Sequence, residues 1–348
     1  MKQLKAAVIG AGRMGRLHSR IYNQMDQTDL IAVVDIDQDK ARQLTEEYGG
    51  TPYSNFNEIV DQVEVVTVAV PTESHTQVAE TFLEQRIPVL VEKPLAENLL
   101  QARRLLQLAK EKNCVLQVGY SERFNPVVQA MRRLDFTPRF VEVNRISPYT
   151  FRSTDVGVVL DMMIHDIDIV LSMVRSPIKD VAAVGVNVMG KHEDIANVRL
   201  TFESGCVANL TASRLALKTD RRIRVFSEDA YLSLDYLKKT GTMVSKKGNI
   251  DMLKWIRQQQ KEDGSIDLFN TDWTKLIQVE TLDIDAREPL RLEQEAFVQA
   301  VTDGTRPQVS AEDAVAAMEL AERIVDEISR HQWQGSSSAA ISAEHWHK

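Results

Sequence analysis

Gly10-Ala11-Gly12-Arg13-Met14-Gly15 decides how the N-terminal half of this chain is read. The spacing is GxGxxG, which says little alone. Here it follows an apolar run, Ala6 to Ile9, and opens a segment whose Met14, Leu17, Ile21 and Tyr22 share one helical face. Strand, glycine turn and helix in that order make a dinucleotide-binding turn. Gly10 permits the tight turn, Gly12 lets the backbone approach a pyrophosphate, and Gly15 allows the helix to pack closely on the strand. The helix N-terminus then faces the negative charge. Asp35 lies twenty residues beyond Gly15, after the next apolar run, Leu30 to Val34. A carboxylate there accepts from both ribose hydroxyls of NAD and repels the 2′-phosphate of NADP; Ile36 and Asp37 offer no arginine to receive one. The expected cofactor is NAD.

Outward from that turn, strand and helix patterns alternate. Val63 to Val70, Val89 to Val91 and Val115 to Val118 are valine-rich runs, most without a polar face, as in parallel strands buried on both sides. Between them lie helical stripes: Ala41, Leu44 and Tyr48 before the stop at Gly49; Val78, Ala79, Phe82 and Leu83; and Leu105, Leu106, Leu108 and Ala109. Such alternation predicts an α/β, doubly wound Rossmann domain over residues 1–121. After about residue 120 the pattern changes. Asn125-Pro126 reads as a helix start, followed by a strand over Phe140 to Ile146 and one helix from about Val156 to Val174. Strand candidates run from Val181 to Val244, separated by Gly190, Gly205, Asp220 and Gly241. These predict an α+β domain over 122–332 with a largely antiparallel open sheet, a polar insertion at 250–274, and helices near 289–302 and 310–330. Residues 333–348 read as a disordered tail.

Composition narrows the function classes. A chain of 348 residues fits roughly two domains. The net charge of −8 argues against a nucleic-acid groove or a polybasic membrane patch. Cys114 and Cys206 are far apart and without metal-ligand spacing, as expected of reduced cytosolic thiols. The opening Met1-Lys2-Gln3-Leu4-Lys5 runs into glycines and Arg13 rather than a cleavage-like end, and no apolar run reaches the ~18 residues of a membrane span. A cytoplasmic enzyme is expected, self-associating as a dimer or tetramer through the C-terminal sheet.

Val70-Pro71-Thr72-Glu73-Ser74-His75 and then Val91-Glu92-Lys93-Pro94 resemble the glucose–fructose oxidoreductase and inositol dehydrogenase family. The likeness extends to Glu288-Pro289-Leu290 and Arg306-Pro307. It implies NAD-dependent oxidation of a sugar hydroxyl to a ketone, with Lys93 beside the nicotinamide and the oxidised carbon. The carboxyl end of a parallel strand opens into the ligand crevice, where a lysine can hold the hydroxyl and donate to the developing carbonyl oxygen. The cofactor-binding set expected on this basis is Gly10, Gly12, Arg13, Met14, Gly15, Asp35, Pro71, Thr72, His75, Glu92 and Lys93.

A second constellation lies in Asp161-Met162-Met163-Ile164-His165-Asp166-Ile167-Asp168. On a regular helix Asp161, His165, Asp168 and Ser172 share a stripe about 60° wide, with apolar residues on the other side. The resemblance implies that Asp161 and His165 face the nicotinamide, Asp161 binding a neighbouring hydroxyl and His165 serving as a base. The spacing leaves open whether Lys93 or His165 accepts the proton. No metal is expected, since hydride transfer needs none and no further histidine sits at ligand spacing; His345 and His347 fall in the tail. Glu122-Arg123-Phe124-Asn125-Pro126 and the stretch Asp155 to Asp168 resemble the branch that oxidises UDP-N-acetylglucosamine at its 3-hydroxyl for surface-glycan precursors. That analogy puts Asn125 near the substrate and makes Arg123, Arg145 and Arg152 candidates for its diphosphate. The alternatives are a dehydrogenase of a free sugar or inositol, and an NAD-binding regulatory protein without turnover.

Overall fold

The valine-rich runs pair as a buried parallel sheet. The computed structural model describes residues 3–149, 156–246, 277–285 and 287–331. Its first half runs β1 (Leu4–Ile9), α1 (Arg13–Gln24), β2 (Thr28–Val34), α2 (Gln38–Tyr48), β3 (Thr51–Tyr53), β4 (Val65–Val68), α3 (Thr72–Glu84), β5 (Val89–Glu92), α4 (Leu99–Lys112) and β6 (Leu116–Gly119). All pairings are parallel, in the order β3-β2-β1-β4-β5-β6. The order reverses between β1 and β4, and a ligand crevice opens at the carboxyl ends beside such a reversal. Register aligns Ile9 with Val34 and Val68, so Gly10, Asp35 and Ala69 emerge side by side. The three-residue β3, with a proline at its centre, is too short to leave a periodic signal, and the sequence reading missed it.

The second half begins with α5 (Pro126–Arg132) and β7 (Phe140–Ile146) and continues through α6 (Ile164–Val174), β8 (Ile178–Val186), β9 (Ile195–Phe202), β10 (Val207–Ser213), β11 (Asp220–Phe226), β12 (Ala230–Asp235), β13 (Thr240–Lys246) and β14 (Ile277–Thr281). Their order is β14-β13-β12-β11-β7-β10-β9-β8, antiparallel except where β7 lies parallel to β10. Along β9 buried and exposed positions alternate, as expected of a sheet with one covered face. The chain then returns through α7 (Pro289–Asp303) and α8 (Ala311–Arg330).

Leu290, Phe297 and Val298 of α7 join a core with Ala6, Val8, Ile21 and Tyr22, so this late helix packs on the N-terminal sheet. Val118 N donates to Val309 O at 3.1 Å, and Gln117 bridges Ser310, covering the edge of β6. Ser310 and Asp313 form a capping box that starts α8. The helix expected over 156–174 is divided: Val159–Met163 is a π-helical turn leading into α6. Among the described residues no helix is long and apolar enough to cross a membrane. Arg152, the 250–274 insertion and the 333–348 tail lie outside the described residues.

Candidate active site

The glycine turn is built for close approach. Gly10 has φ +103°, and a Cβ there would lie 2.5 Å from Ala69 O; a Cβ on Gly15 would lie 1.7 Å from Gly10 O. Neither position tolerates a side chain. A Cβ on Gly12 meets nothing within 4 Å, so the turn opens on free space at the start of α1. That space is a cleft of about 1060 Å³ lined by Gly10, Gly12, Arg13, Met14, Asp35 and Pro71, among others. Asp35 ties the turn to β2: Oδ2 accepts from Ala11 N at 2.7 Å and Oδ1 from Asp37 N at 2.9 Å. Ile36 beside it is 95% exposed and forms an apolar wall, while two cations of the same cleft, Arg16 and Lys40, are paired with Glu47 and Asp37. Backbone donors at a helix N-terminus, a ribose-facing acid and an apolar wall fit a dinucleotide.

A smaller cleft of about 320 Å³ continues from this one, sharing Met14, Ala69, Val70 and Pro71, and is lined further by Thr72, His75, Glu92, Lys93, Ser121 and His165. Lys93 follows β5 through a cis peptide bond to Pro94. Its Nζ donates to Asp161 O at 2.9 Å and Oδ1 at 3.2 Å. The π-helical turn brings Asp161 to that point, and its start is pinned where Val159 N donates to Glu193 Oε1 at 3.1 Å. His165 stands on the first turn of α6 with Tyr120 packed edge-on at 6.0 Å. Burial first, then the cations of Lys93, Arg145 and Arg221, hold its pKa well below the usual imidazole value. The ring is therefore neutral at neutral pH and can accept a proton.

The Lys93 turn is braced from behind. His75 is buried with its ring nitrogens 2.8 Å from Pro94 O and 3.0 Å from Val70 O, tying the two loops that flank the cleft. Burial lowers its pKa, and the two carbonyls oppose that shift. Glu92 reaches His18 Nε2 at 2.8 Å and accepts from Lys93 N at 3.3 Å. The expected cofactor ligands His75 and Glu92 thus line the cleft while bonded to protein groups.

Three expected substrate ligands are committed elsewhere. Arg123 makes a two-pronged ion pair with Asp168, and each is almost fully buried. Arg145 donates from Nε and Nη2 to Asp166 at 2.7 and 2.8 Å and from Nη1 to Glu122 at 3.3 Å. Both guanidiniums thus face buried carboxylates, and neither lines the Lys93 cleft. Asn125 accepts from Val127 N at 3.2 Å as the cap of α5 and is not among the residues lining the Lys93 cleft. The polar stripe also divides. His165 lines the cleft and Asp161 meets it through Lys93 Nζ, whereas Asp168 is held by Arg123 and Ser172 Oγ donates to Ile169 O.

Sequence reasoning missed Tyr120, which follows the carboxyl end of β6 as Lys93 follows β5; the same strand-end argument would have found it. It also missed Arg221, half-buried, close enough to His165 to depress its pKa, with Glu122 as an ion-pair partner at 3.6 Å.

Residues 4–120 match the family described as "Oxidoreductase family, NAD-binding Rossmann fold", and residues 129–233 match the GFO/IDH/MocA C-terminal domain. The chain is 34% identical over 241 residues to a UDP-N-acetylglucosamine 3-dehydrogenase of Acidithiobacillus ferrooxidans, covering 69% of this chain and 76% of the relative. It is 26% identical to a myo-inositol 2-dehydrogenase of Thermotoga maritima over 91% of this chain and 94% of that one. The solved structure of the Acidithiobacillus ferrooxidans enzyme superposes with TM-score 0.82 at 27% identity, covering 94% of this chain and 98% of that one.

Proposed function

We infer substrate and chemistry from one premise: the chain belongs to the Gfo/Idh/MocA family of oxidoreductases and is an NAD-dependent dehydrogenase. Its reaction is oxidation of a sugar hydroxyl to a ketone, and its substrate is UDP-N-acetylglucosamine, oxidised at the 3-hydroxyl. The observation that carries the chemistry is the meeting of Lys93 and Asp161 beside a neutral His165, in a cleft continuous with the dinucleotide cleft. The sugar is supported by the 34% identical relative.

When bound, NAD supplies the hydride acceptor. Gly12, Arg13 and Met14 at the start of α1 would hold its pyrophosphate, and Asp35 would hold its adenosine ribose. Pro71 and Thr72, which line the smaller cleft, would wall its nicotinamide end. Lys93 Nζ, already a double donor to Asp161, holds the reacting hydroxyl and stabilises charge on its oxygen as the carbonyl forms. Asp161 orients Lys93 and takes a neighbouring sugar hydroxyl. The hydroxyl proton goes to the His165 imidazole, which is neutral and lines the Lys93 cleft. With Arg123 and Arg145 engaged, Arg221 is the cation assigned to the substrate phosphates.

The division of labour follows the two sheets, residues 1–121 holding the cofactor and 122–332 the sugar. A homo-oligomer through the open face of the C-terminal sheet and a cytoplasmic location complete the reading. The net charge of −8 supports a small-molecule partner over a nucleic acid.

A second reading, a dehydrogenase of inositol or a free sugar, is favoured by the neutralised Arg123 and Arg145 and by the Thermotoga maritima relative. One assay separates the two. NADH formation is followed with UDP-N-acetylglucosamine, myo-inositol and glucose, with Lys93→Ala as control. Turnover confined to the unphosphorylated polyols would reject the nucleotide sugar, and turnover independent of Lys93 would reject the site.

A further inference from the structure

The geometry points to a second anion site, for a phosphorylated small molecule, in a cleft of about 780 Å³ at the C-terminal end of α6, the end opposite His165. Arg123, Arg132, Arg175 and Arg306 converge there from separate segments, with Asp313 as the lining carboxylate. None of these residues lines the NAD cleft or the Lys93 cleft. His165 and Arg175 are ten residues apart on one helix, about 15 Å along its axis.

The charges do not cancel. Arg123 is matched by the buried Asp168, and Arg306 donates to Asp313 Oδ1 at 3.1 Å and to Ser310 Oγ at 2.8 Å. Among the described residues neither Arg132 nor Arg175 has a carboxylate within ion-pair distance. Arg175 Nε donates to Ser172 O at 3.1 Å, which accounts for one of its donors. Arginines near helix ends often serve only to offset the dipole, and both α5 and α6 end here. Each helix end carries about half a negative charge. Two helix ends and two carboxylates against four guanidiniums still leave about one positive charge in a concave site, where the field is focused.

Two further observations point to an oxyanion. Arg132 and Arg175 are both solvent-exposed while lining this cleft, so their guanidiniums are accessible to a ligand there. Gln308 Nε2 is a buried donor without a partner on the wall of the same cleft. Guanidinium forks and an amide donor match phosphate oxygens. The cleft exceeds what a single phosphate fills, so the ligand is a phosphate carried on a larger group. Through Arg123 and Asp168 the site touches α6 three residues beyond His165.

Titration calorimetry on the full-length, NAD-saturated protein tests this, with sodium pyrophosphate as probe and chloride at matched ionic strength as control. One saturable site per chain is expected, weakened at least about tenfold in an Arg132→Ala/Arg175→Ala variant whose turnover without pyrophosphate matches wild type. In the unmodified protein, pyrophosphate should slow phenylglyoxal labelling of Arg132 and Arg175 but not of the exposed Arg103. Absence of saturable binding, equal affinity in the double variant, or labelling of Arg132 and Arg175 that pyrophosphate leaves unchanged would each overturn the assignment.

Discussion

Lys93 Nζ lies 2.9 Å from the main-chain oxygen of Asp161 and 3.2 Å from its carboxylate, joining the end of β5 to the π-helical turn before α6. The side chains are 24% and 30% exposed, so the pair is wet enough to meet a substrate and sheltered enough to have a fixed geometry. The contact sets the lysine's direction, since the main-chain acceptor stays in place whichever way the carboxylate turns.

Removing the lysine therefore removes chemistry and leaves cofactor binding. Lys93→Ala should lower kcat by about a hundred- to ten-thousandfold. NAD affinity, measured by fluorescence titration, should change by less than about threefold. Asp161→Asn keeps the main-chain acceptor and should cost less in kcat than Lys93→Ala while raising KM. A Lys93→Ala enzyme with near-normal kcat would contradict this arrangement.

The neutral state of His165 gives a signed pH dependence. Its folded pKa is depressed, so between that value and the ordinary 6.5 the unfolded chain binds more protons than the folded one. Stability from this group is then fully present above 6.5 and is lost as pH falls through the folded pKa. The acid limb of kcat/KM assigned to His165 should lie below 6.5 for the same reason. His165→Gln should flatten both profiles, and an acid limb that stays in place in the variant would assign it to another group.

Asp35 offers a test of cofactor choice. Its two oxygens already order the glycine turn through Ala11 N and Asp37 N. Asp35→Ala removes these contacts and the ribose acceptor together. Charge-assisted hydrogen bonds contribute about 1.5–3 kcal/mol each, so NAD affinity should fall by at least about tenfold. Asp35→Ser with Ile36→Arg should narrow the gap between NAD and NADP, read as the ratio of kcat/KM values. An unchanged ratio would show that discrimination lies elsewhere.

The doubly wound half was legible because its strands are apolar on both faces and its glycines precede a helix, features local in the chain. The family resemblance of Glu92-Lys93-Pro94 and of Asp161 to Asp168 implied that Lys93, Asp161 and His165 share one site, and the fold brings Lys93 to Asp161 with His165 on the same cleft. The arginines were not legible. Arg123 and Arg145 gave no sign of their buried partners, because Asp168 and Asp166 lie 45 and 21 residues away in sequence and meet them only when α6 packs. Asp168 shares a polar stripe with His165 on α6, and the π-helical turn, which ends before both, moves neither relative to the other; Asp168 is drawn away by Arg123, which the spacing does not reveal. Pairing across such distances is a property of the fold and leaves no periodic trace.

Glu293 is the clearest residue of that long-range kind. It stands on α7, is fully buried, and neither carboxylate oxygen has a partner among the described residues. One oxygen lies within 4.8 Å of ligand atoms of both Glu92 and His18, behind the Lys93 turn. Burial, then the charge of Glu92, push its pKa well above the ordinary 4.5, so it is held as a neutral acid. Above 4.5 the unfolded chain releases this proton and the folded chain keeps it. Stability linked to Glu293 is thus fully present below 4.5 and declines as pH rises toward the folded pKa. Glu293→Gln preserves the shape without the proton and should be as stable as wild type near about pH 5, becoming the more stable of the two toward about pH 8. Urea midpoints at those two pH values decide the matter. A difference between the proteins that does not change with pH would mean that Glu293 is ionised in the folded chain.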